Sequence, residues 1–317
     1  MSRRVLITGG SGFVGQWLSR ALLERGWTVF SGTIDWPPKA PLLTDAERDA
    51  ITWSMLDIRS DDEVTRAVGQ SAPDFVVHLA GIAFAPEANA SPIRAFDINA
   101  LGLMRLLLKL HGAGATGTRV LVVGSAEEYG QQEPAAYPIT ETAALRPLTP
   151  YAVAKASQEM MALQAWRANG QQVVCTRSFN HSGVGHGESY LLPTLIRRVR
   201  ALPKSGGALT IGNGHVSRDY LHVEDVVAAY LLLLERGQPG EVYNVCSGKG
   251  ITVQELATRV LARAGVAAEI TSEPSLIRPI DVPILVGDNA KLRGATGWAV
   301  TRPVDDIIDD LLHAAPR

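Results

Sequence analysis

Short apolar runs alternate with amphipathic segments along the first half of the chain. Five runs of strand length lie at residues 3–8, 27–30, 74–80, 119–123 and 172–176, and a further run ends at residue 58. The segments between them place apolar residues at helical spacing and predict helices at residues 16–25, 61–69, 95–110 and 151–169. Strands that alternate with helices form βαβ units, so the pattern predicts an α/β fold with a doubly wound parallel sheet. Functional residues of such a sheet lie at the carboxyl ends of its strands.

The pattern changes after residue 177, where loops and further helices replace the regular alternation. Helices are predicted at residues 195–201 and 253–263, while residues 220–234 and 241–245 have the pattern of elements that return to the first sheet. We therefore expect a smaller, discontinuous C-terminal substrate domain that closes over the sheet. The expected boundaries are residues 1–177 plus about 219–247 for the first domain, and about 178–218 plus 248–317 for the second.

The composition and charge of the chain argue against nucleic acid and membranes as binding partners. Of the 317 residues, 46% are hydrophobic and 20% charged, and a formal net charge of -2 offers no basic surface for nucleic acid. The longest apolar stretch, residues 226–234, is far too short to cross a bilayer, so no membrane contact is expected. Cys175 and Cys246 lie in apolar segments and predict buried reduced thiols, with one disulfide as the alternative. The first strand leaves no room for a signal peptide, so we expect a cytoplasmic protein, without a metal site.

A glycine-rich loop follows the first predicted strand. Gly9, Gly12 and Gly15 lie between that strand and the next helix, and a second strand follows. Glycines at this spacing allow a tight turn, a close approach of the backbone to a pyrophosphate, and close packing of helix on strand. The N-terminus of the helix then favours the phosphate charge. This order of elements predicts a dinucleotide-binding site of the Rossmann type, whereas glycines without that context indicate only a turn.

Ser125, Tyr151 and Lys155 are the candidate catalytic residues. Tyr151 and Lys155 are four positions apart, so they lie on one face of the predicted helix. An ammonium group near a phenol favours the phenolate, which lets the tyrosine exchange a proton near neutral pH, and Ser125 can bond the same substrate oxygen. These groups suit the interconversion of a carbonyl and an alcohol. The alternative is a solvated helix face, and the glycine loop favours the catalytic interpretation.

These motifs, in this order, resemble the extended short-chain dehydrogenase/reductase family along essentially the whole chain. The resemblance implies NADPH or NADH in the Rossmann domain, a nucleotide-sugar in the cleft, and Ser125, Tyr151 and Lys155 as the catalytic triad. In that scheme Tyr151 protonates the carbonyl oxygen, Lys155 lowers the tyrosine pKa and holds the nicotinamide ribose, and Ser125 orients the oxygen. The residues implied to bind the cofactor are Gly9, Gly12, Phe13, Val14, Gly15, Asp57, Ile58, Leu79, Ala80, Gly81, Asn99, Tyr151 and Lys155.

Neither the cofactor preference nor the oligomeric state follows directly from these motifs. The acid expected at the end of the second strand falls near Thr33, with Asp35 two residues on. A carboxylate there favours NADH and a nearby arginine favours NADPH, and neither is clearly placed.

Family members commonly pair through the helices predicted at residues 95–110 and 151–169, so we expect a homodimer. The alternative is that the apolar residues of these helices are ordinary core.

Three later segments resemble those that bind nucleotide-sugars in this family. Asn180 matches an asparagine that touches the sugar diphosphate, and Arg218 matches a phosphate-binding arginine. Residues 278–282 resemble the Arg-Pro-x-Glu-Val segment of GDP-mannose 4,6-dehydratases and the related GDP-4-keto-6-deoxymannose reductases, whose arginine pairs with diphosphate and whose acid lies near the nucleotide end. The resemblance implies Arg278 and Asp281 for these roles and a GDP-sugar as substrate, since guanidinium groups suit phosphate oxygens. The alternative is that both arginines are surface residues in loops.

The string Ser125-Ala126-Glu127 bears on the reaction. A 4,6-dehydratase carries Thr-Asp-Glu or Thr-Ser-Glu at this place, whereas Ala126 can neither donate nor accept a proton. Glu127 fits a catalytic role or a bond to a sugar hydroxyl. We expect an NAD(P)H-dependent reductase that converts the C4 ketone of GDP-4-keto-6-deoxymannose to a GDP-6-deoxyhexose such as GDP-rhamnose. The alternatives are a nucleotide-sugar dehydratase or epimerase, and a non-catalytic NAD(P)-binding sensor or scaffold.

Overall fold

The computed structural model describes residues 2–203, 206–277 and 281–315. The strands are β1 (Arg4–Thr8), β2 (Thr28–Thr33), β3 (Thr52–Met55), β4 (Phe75–His78), β5 (Arg119–Ser125), β6 (Val173–Ser178), β7 (Asn180–Ser182), β8 (Ala208–Ile211), β9 (Ser217–His222), β10 (Val242–Val245), β11 (Gly250–Thr252), β12 (Glu269–Ser272) and β13 (Ile284–Leu285). The helices are α1 (Phe13–Glu24), α2 (Asp45–Asp49), α3 (Asp61–Ser71), α4 (Ala85–Ala90), α5 (Pro92–Phe96), α6 (Gly102–Gly112), α7 (Pro150–Asn169), α8 (Leu191–Ala201), α9 (Val223–Arg236), α10 (Val253–Ala264), α11 (Ala290–Thr296) and α12 (Val304–His313).

A parallel sheet of seven strands lies at the centre, in the order β10-β6-β5-β4-β1-β2-β3. β1 lies between β2 and β4, so the chain winds first to one edge of the sheet and then to the other. This confirms the predicted α/β fold with a doubly wound, Rossmann-type sheet. The carboxyl ends of β1, β4 and β5 are neighbours, which brings the glycine loop, the residues after His78, and Ser125 to one edge.

Helices cover both faces of this sheet. On one face, α1 and α9 bury Leu18, Leu22 and Tyr230 against the strands. On the other face, α3 and α6 bury Val64 and Leu106. Because the central strands are buried on both faces, they have the continuous apolar runs on which the fold prediction depended.

The later elements pack around an apolar cluster of their own. β9 pairs with β11 and β13, β7 pairs with β9, and β8 pairs with β12. Helices α8, α10 and α12 contribute Leu195, Leu256 and Ile307 to this cluster. The division of the chain into two domains at the predicted boundaries stays a prediction.

The single helix predicted at residues 95–110 is wrong in detail, since α5 passes through a π turn (Asp97–Leu101) into α6. Asn99 in this turn is buried. Its side-chain oxygen accepts a hydrogen bond from the Ile82 N–H at 2.7 Å, and its amide donates to the Ile82 carbonyl at 3.2 Å. The π turn therefore anchors the loop that follows β4, and such turns often occur at functional sites.

Helix α7 has capping residues at both ends. The Thr149 side chain accepts a hydrogen bond from the Ala152 N–H, and Pro150 occupies the first helical position. Gly170 ends the helix in the left-handed conformation, with a φ of 69°. These signals place Tyr151 in the first turn and Lys155 one turn later.

Both cysteines are buried free thiols, as predicted, with Cys175 in β6 and Cys246 just after β10. Burial raises the pKa of each thiol.

Among the described residues, none of the helices combines the length and the apolar character that a membrane span requires.

A buried ion pair joins β6 to α7. The Arg177 guanidinium donates to both carboxylate oxygens of Glu159, at 2.9 and 2.7 Å. It also donates to the Tyr129 hydroxyl at 2.9 Å and to the Glu141 carbonyl at 3.0 Å. Arg177 and Glu159 are both buried, so each charge depends on the other for compensation.

We expect Arg177→Met to lower the free energy of unfolding by about 3–5 kcal/mol, because it leaves the Glu159 carboxylate buried without its partner. The matched control is Arg259→Met, which removes an exposed ion pair with Asp305 and should cost at most about 1 kcal/mol. Urea unfolding followed by tryptophan fluorescence measures both. Equal losses in the two variants would contradict the importance of the buried pair.

Candidate active site

One large cleft runs across the carboxyl ends of β1, β4 and β5 and on between α8 and β9. It brings together most of the residues that the sequence singled out. The predicted residues that line it are Gly9, Gly12, Phe13, Val14, Gly15, Asp57, Ile58, Leu79, Ala80, Gly81, Ser125, Glu127, Tyr151, Lys155, Asn180, Arg218 and Asp281. Arg278 lies outside the described residues.

The glycine loop presents bare backbone to this cleft. Gly9 has a φ of +71°, and a Cβ atom on it would lie 2.9 Å from the Ala80 nitrogen. A Cβ on Gly15 would lie 2.6 Å from the Gly10 carbonyl oxygen. α1 starts at Phe13, so Gly15 lies in its first turn, and its N-cap residue, Gly12, contributes no side-chain cap. Backbone N–H groups of the first helical turn are therefore left for an anionic group, as a pyrophosphate site requires.

Asn99 lies behind the cleft wall, because its side chain is committed to the Ile82 backbone. A Cβ on Gly81 would lie 2.8 Å from the Asn99 side-chain oxygen, so the wall can only be this close with glycine at residue 81. The predicted contact of Asn99 with a cofactor stays a prediction. Its observed hydrogen bonds to Ile82 show that Asn99 supports the wall of the cleft.

The far end of the cleft carries a mixture of charges. The Asp57 carboxylate accepts hydrogen bonds from Arg59, the shortest at 2.6 Å, and these bonds lower the pKa of Asp57. Thr33, at the end of β2, forms a hydroxyl–hydroxyl hydrogen bond of 2.8 Å with Ser11. The position expected to hold an acid therefore holds a neutral pair, and Asp35 lines the cleft farther along the loop.

The three candidate catalytic residues converge although they come from two elements. Ser125 ends β5, and Tyr151 and Lys155 face it from α7. The Ser125 hydroxyl lies close enough to Tyr151 to lower the pKa of its phenol. The Lys155 ammonium donates to the Val123 carbonyl at 2.9 Å and to the Gln158 side-chain oxygen at 2.9 Å. All three catalytic candidates are buried at the wall of the cleft.

The electrostatics of Tyr151 differ from the expectation. Burial raises the pKa of Tyr151 above its ordinary value, the nearby Glu127 charge adds to the rise, and the nearby Ser125 hydroxyl opposes it. The expected lowering by Lys155 is absent from these causes, because the ammonium points to the Val123 carbonyl rather than to the phenol. Tyr151 thus holds its proton at neutral pH, which suits a proton donor.

Glu127 and Ala126 occupy the turn (Ala126–Tyr129) that follows Ser125. The Glu127 N–H donates to the Ser125 hydroxyl oxygen at 3.2 Å, and its side chain lines the cleft. Ala126 is buried and packs in an apolar cluster with Tyr129 and Phe179. The turn therefore brings the Glu127 carboxylate to the cleft near Tyr151, while the buried Ala126 offers no proton there.

In the part of the cleft between α8 and β9, Arg218 and Asp281 form an ion pair with each other. Arg218 also donates to the Val282 carbonyl at 2.7 Å and to the Ser217 carbonyl at 2.8 Å. The sequence suggested separate roles for these residues, and the pairing of β9 with β13 brings them together. Asn180 starts β7 and is exposed on the cleft wall.

Residues 6–311 match the sequence profile of a protein family described as GDP-mannose 4,6 dehydratase. The chain belongs to this family. It is 36% identical to the GDP-6-deoxy-D-mannose reductase of Pseudomonas aeruginosa over 302 residues, which make up 94% of this chain and 92% of that relative. The family membership predicted from the motifs is confirmed.

Two solved structures are similar along nearly the whole chain. The structure of RMD from Pseudomonas aeruginosa complexed with NADPH has a TM-score of 0.81 and 33% identity, and the match covers 98% of this chain and 97% of that one. A UDP-glucose 4-epimerase from Thermus thermophilus in complex with NAD has a TM-score of 0.85 and 27% identity, with 98% and 100% covered. The Rossmann-type fold is thus shared with nucleotide-sugar enzymes.

This family member also has a stack of rings in the cleft that the sequence did not predict. Phe13 stacks on His186 with ring centroids 4.7 Å apart, and His186 stacks on Tyr190 at 4.0 Å. Phe84 meets Tyr190 edge to face at 5.2 Å. Three of these rings come from irregular segments or helix caps without periodicity, so only the fold brings them together.

The glycine loop gives a test of the cofactor cradle. We expect Gly15→Ala to weaken NADPH binding at least about tenfold, since the new methyl group meets the Gly10 backbone and pushes α1 away from the loop. Gly69→Ala in α3 is the control, because the added Cβ meets no described atom within 4 Å beyond the neighbouring backbone of its own helix. Fluorescence titration with NADPH measures both variants. Equal affinities would show that close packing at Gly15 is not required.

Proposed function

We propose that this protein is an NAD(P)H-dependent reductase acting on GDP-4-keto-6-deoxy-D-mannose. It converts the C4 ketone to a hydroxyl and gives a GDP-6-deoxyhexose, either GDP-D-rhamnose or its C4 epimer. The observation that carries the proposal is the convergence of Ser125, Tyr151 and Lys155 on the wall of the cleft that the glycine loop also lines. The relation to GDP-6-deoxy-D-mannose reductase, 36% identical over 94% of this chain, supports the choice of substrate.

The residues of the cleft fit a nicotinamide dinucleotide. The bare glycine loop and the uncapped start of α1 suit the pyrophosphate, Asp57 and Ile58 suit the adenine end, and Lys155 suits the nicotinamide ribose. The nicotinamide, when bound in its reduced form, supplies a hydride. The Ser11–Thr33 pair at the end of β2 carries no charge and favours neither NADPH nor NADH. We therefore propose that either cofactor binds.

The side chains then perform the acid–base part of the reduction. Ser125 donates a hydrogen bond to the ketone oxygen and fixes its place. Tyr151 gives its proton to that oxygen as C4 gains the hydride, so the C=O double bond becomes a C–H bond and an O–H bond. The resulting phenolate regains a proton from solvent. Burial of Tyr151 keeps the proton in place until the oxygen develops charge.

The nucleotide-sugar lies, in this proposal, along the part of the cleft between α8 and β9. The residues that contact the GDP portion are Asn180, Arg218, Asp281 and Arg278. When the substrate binds, Arg218 donates to phosphate oxygens and gives up part of its interaction with Asp281.

Residues 178–218 and 248–317 form the substrate domain, and residues 1–177 with 219–247 form the Rossmann domain. The buried free thiols Cys175 and Cys246 support a cytoplasmic location.

A nucleotide-sugar 4,6-dehydratase is the second candidate, and Glu127 favours it. Its carboxylate lies close enough to Tyr151 to raise the pKa of the phenol, so it can act as a base on a bound sugar. Against this, the residue between Ser125 and Glu127 is the buried Ala126, which offers no proton to a leaving hydroxyl. In the reductase, Glu127 bonds a sugar hydroxyl.

One assay separates the candidates. Purified protein is mixed with NADPH or NADH and with GDP-4-keto-6-deoxymannose, and absorbance and product are followed together. The reductase consumes one reduced nicotinamide for each GDP-6-deoxyhexose formed. Loss of water from GDP-mannose without net cofactor consumption would identify a dehydratase instead, and cofactor binding without turnover on any nucleotide-sugar would identify a sensor.

Tyr151→Phe should lower kcat by about 10²–10⁴-fold while NADPH affinity stays near that of the wild type, because only the proton donor is removed. Tyr137→Phe is the matched control, since Tyr137 packs outside the cleft and should keep full activity. Steady-state kinetics and NADPH titration measure the two effects. Near-normal turnover of Tyr151→Phe would refute the assigned role.

We also propose that the protein is a homodimer that pairs through α6 and α7. Large apolar side chains are exposed there, with Leu108 at 55% and Met160 at 61%, together with Met104 and Val153. Leu107, also in α6, is instead buried in the core. Burying such a patch against a second copy removes apolar surface from water, which favours association.

The dimer proposal predicts that Leu108→Glu, which puts a charge into the pairing surface, shifts the protein from dimer to monomer. Leu148→Glu, in an exposed loop, is the control and should leave the association state unchanged. Sedimentation velocity at micromolar concentration measures both. A wild-type protein that sediments as a monomer would overturn the proposal.

A further inference from the structure

Residues 183–190 join β7 to α8, and His186 and Tyr190 among them line the cleft. We call this segment the strap. It is tied to α1, because the side-chain N–H of Trp17 donates to the Val184 carbonyl at 3.1 Å. The strap therefore lies beside the helix whose first turn is left open for the pyrophosphate of a dinucleotide.

The ring of His186 connects the strap to the start of α1. On one side it stacks on Phe13, with ring centroids 4.7 Å apart and planes 17° from parallel. On the other side it stacks on Tyr190, at 4.0 Å and 29°. Phe13 is the first residue of α1 and Tyr190 is the N-cap residue of α8, so one imidazole bridges the starts of two helices.

The far end of the stack is fixed by the loop that follows β4. Phe84 in this loop meets Tyr190 edge to face at 5.2 Å, and the Tyr190 N–H donates to the Gly187 carbonyl at 3.1 Å. All four rings of the stack line the cleft. The contacting rings thus connect the strap with α1 and with the loop after β4, the two elements expected to flank the cofactor.

His186 contributes a ring and one hydrogen bond, but no charge. Its Nδ1 atom lies 3.0 Å from the hydroxyl oxygen of the buried Ser182, and this hydrogen bond fixes the rotation of the ring. Burial lowers the pKa of His186 to about 3, and the neighbouring His181 adds to the decrease. The imidazole is therefore neutral at physiological pH. It acts on its neighbours through the contact of flat rings rather than through charge.

We propose that His186 is a positioning residue for the cofactor: its ring holds the strap against α1, so that the strap closes over the bound dinucleotide and slows its release. The inference rests on the cofactor part of the proposed function. It is tested without the sugar, because the release of NADPH alone reports on the strap.

Substitutions at residue 186 separate the ring from the hydrogen bond. His186→Asn keeps a polar atom for the Ser182 hydroxyl and removes the ring. His186→Phe keeps a flat ring and removes the hydrogen bond. The matched control is His215→Asn, since His215 is exposed and lies outside the residues that line the cleft.

We expect NADPH to leave His186→Asn about tenfold faster than the wild type, because two ring contacts are lost. Release from His186→Phe should stay within about threefold of the wild type, because the stack is kept. The missing bond to Ser182 should appear instead as a lower free energy of unfolding. His215→Asn should match the wild type. Stopped-flow fluorescence of bound NADPH, mixed with excess NADP⁺ as a trap, measures the release rate.

Trp17→Phe is the second variant, because it removes the other tie of the strap and leaves His186 in place. NADPH should leave this variant about three- to tenfold faster than the wild type, since one hydrogen bond to the strap is lost. An unchanged release rate would show that the strap does not retain the cofactor.

Equal release rates for the wild type and His186→Asn would overturn the inference. Release from His186→Phe as fast as from His186→Asn would assign the effect to the hydrogen bond and refute the role of the ring. Slower release from His186→Asn would show that the ring obstructs the site, and a wild type that binds no NADPH would also contradict the inference. If NADPH binds and the GDP-sugar is not reduced, the proposed function fails, and the release rates still decide the role of His186.

Discussion

The site depends on the packing of helix α7 against the end of strand β5, which the bond from Lys155 to the Val123 carbonyl fixes at 2.9 Å. Tyr151 lies one turn before Lys155, so the same bond sets the position of the phenol relative to Ser125. The caps at Thr149 and Gly170 determine where the helix begins and ends, and hence which residues face the strand. A lysine used in this way is structural as well as chemical, because its stem passes through the interface and its charge remains beside the cleft.

The interior behind this contact is unusually polar for the centre of a sheet. Arg177, Glu159, Glu128 and Lys155 are all buried within a short distance of the catalytic turn. Buried charges are costly unless they are paired, and here two hydrogen bonds pair Arg177 with Glu159. The polar interior lies behind the wall of the cleft where Ser125, Tyr151 and Lys155 come together.

The sequence predicted the sheet and the catalytic set because both depend on local patterns. Continuous apolar runs indicate buried parallel strands, and a spacing of four places Tyr151 and Lys155 on one helix face. It did not predict that Lys155 points to Val123, since spacing determines a face and not a rotamer. The pair of Arg218 and Asp281 was missed because it joins residues 63 apart through β13, a strand of two residues with no pattern of its own. The stack of Phe13, His186 and Tyr190 likewise requires the tertiary fold.

The most direct test of the reductase assignment follows one deuterium atom. NADPH deuterated at the transferable position of the nicotinamide is incubated with the protein and GDP-4-keto-6-deoxymannose, and the product sugar is analysed by NMR. We expect one deuterium on C4 of every product molecule, because the ketone carbon is the acceptor and Tyr151 supplies only the proton on oxygen. A product that carries no deuterium on C4 would contradict the assignment.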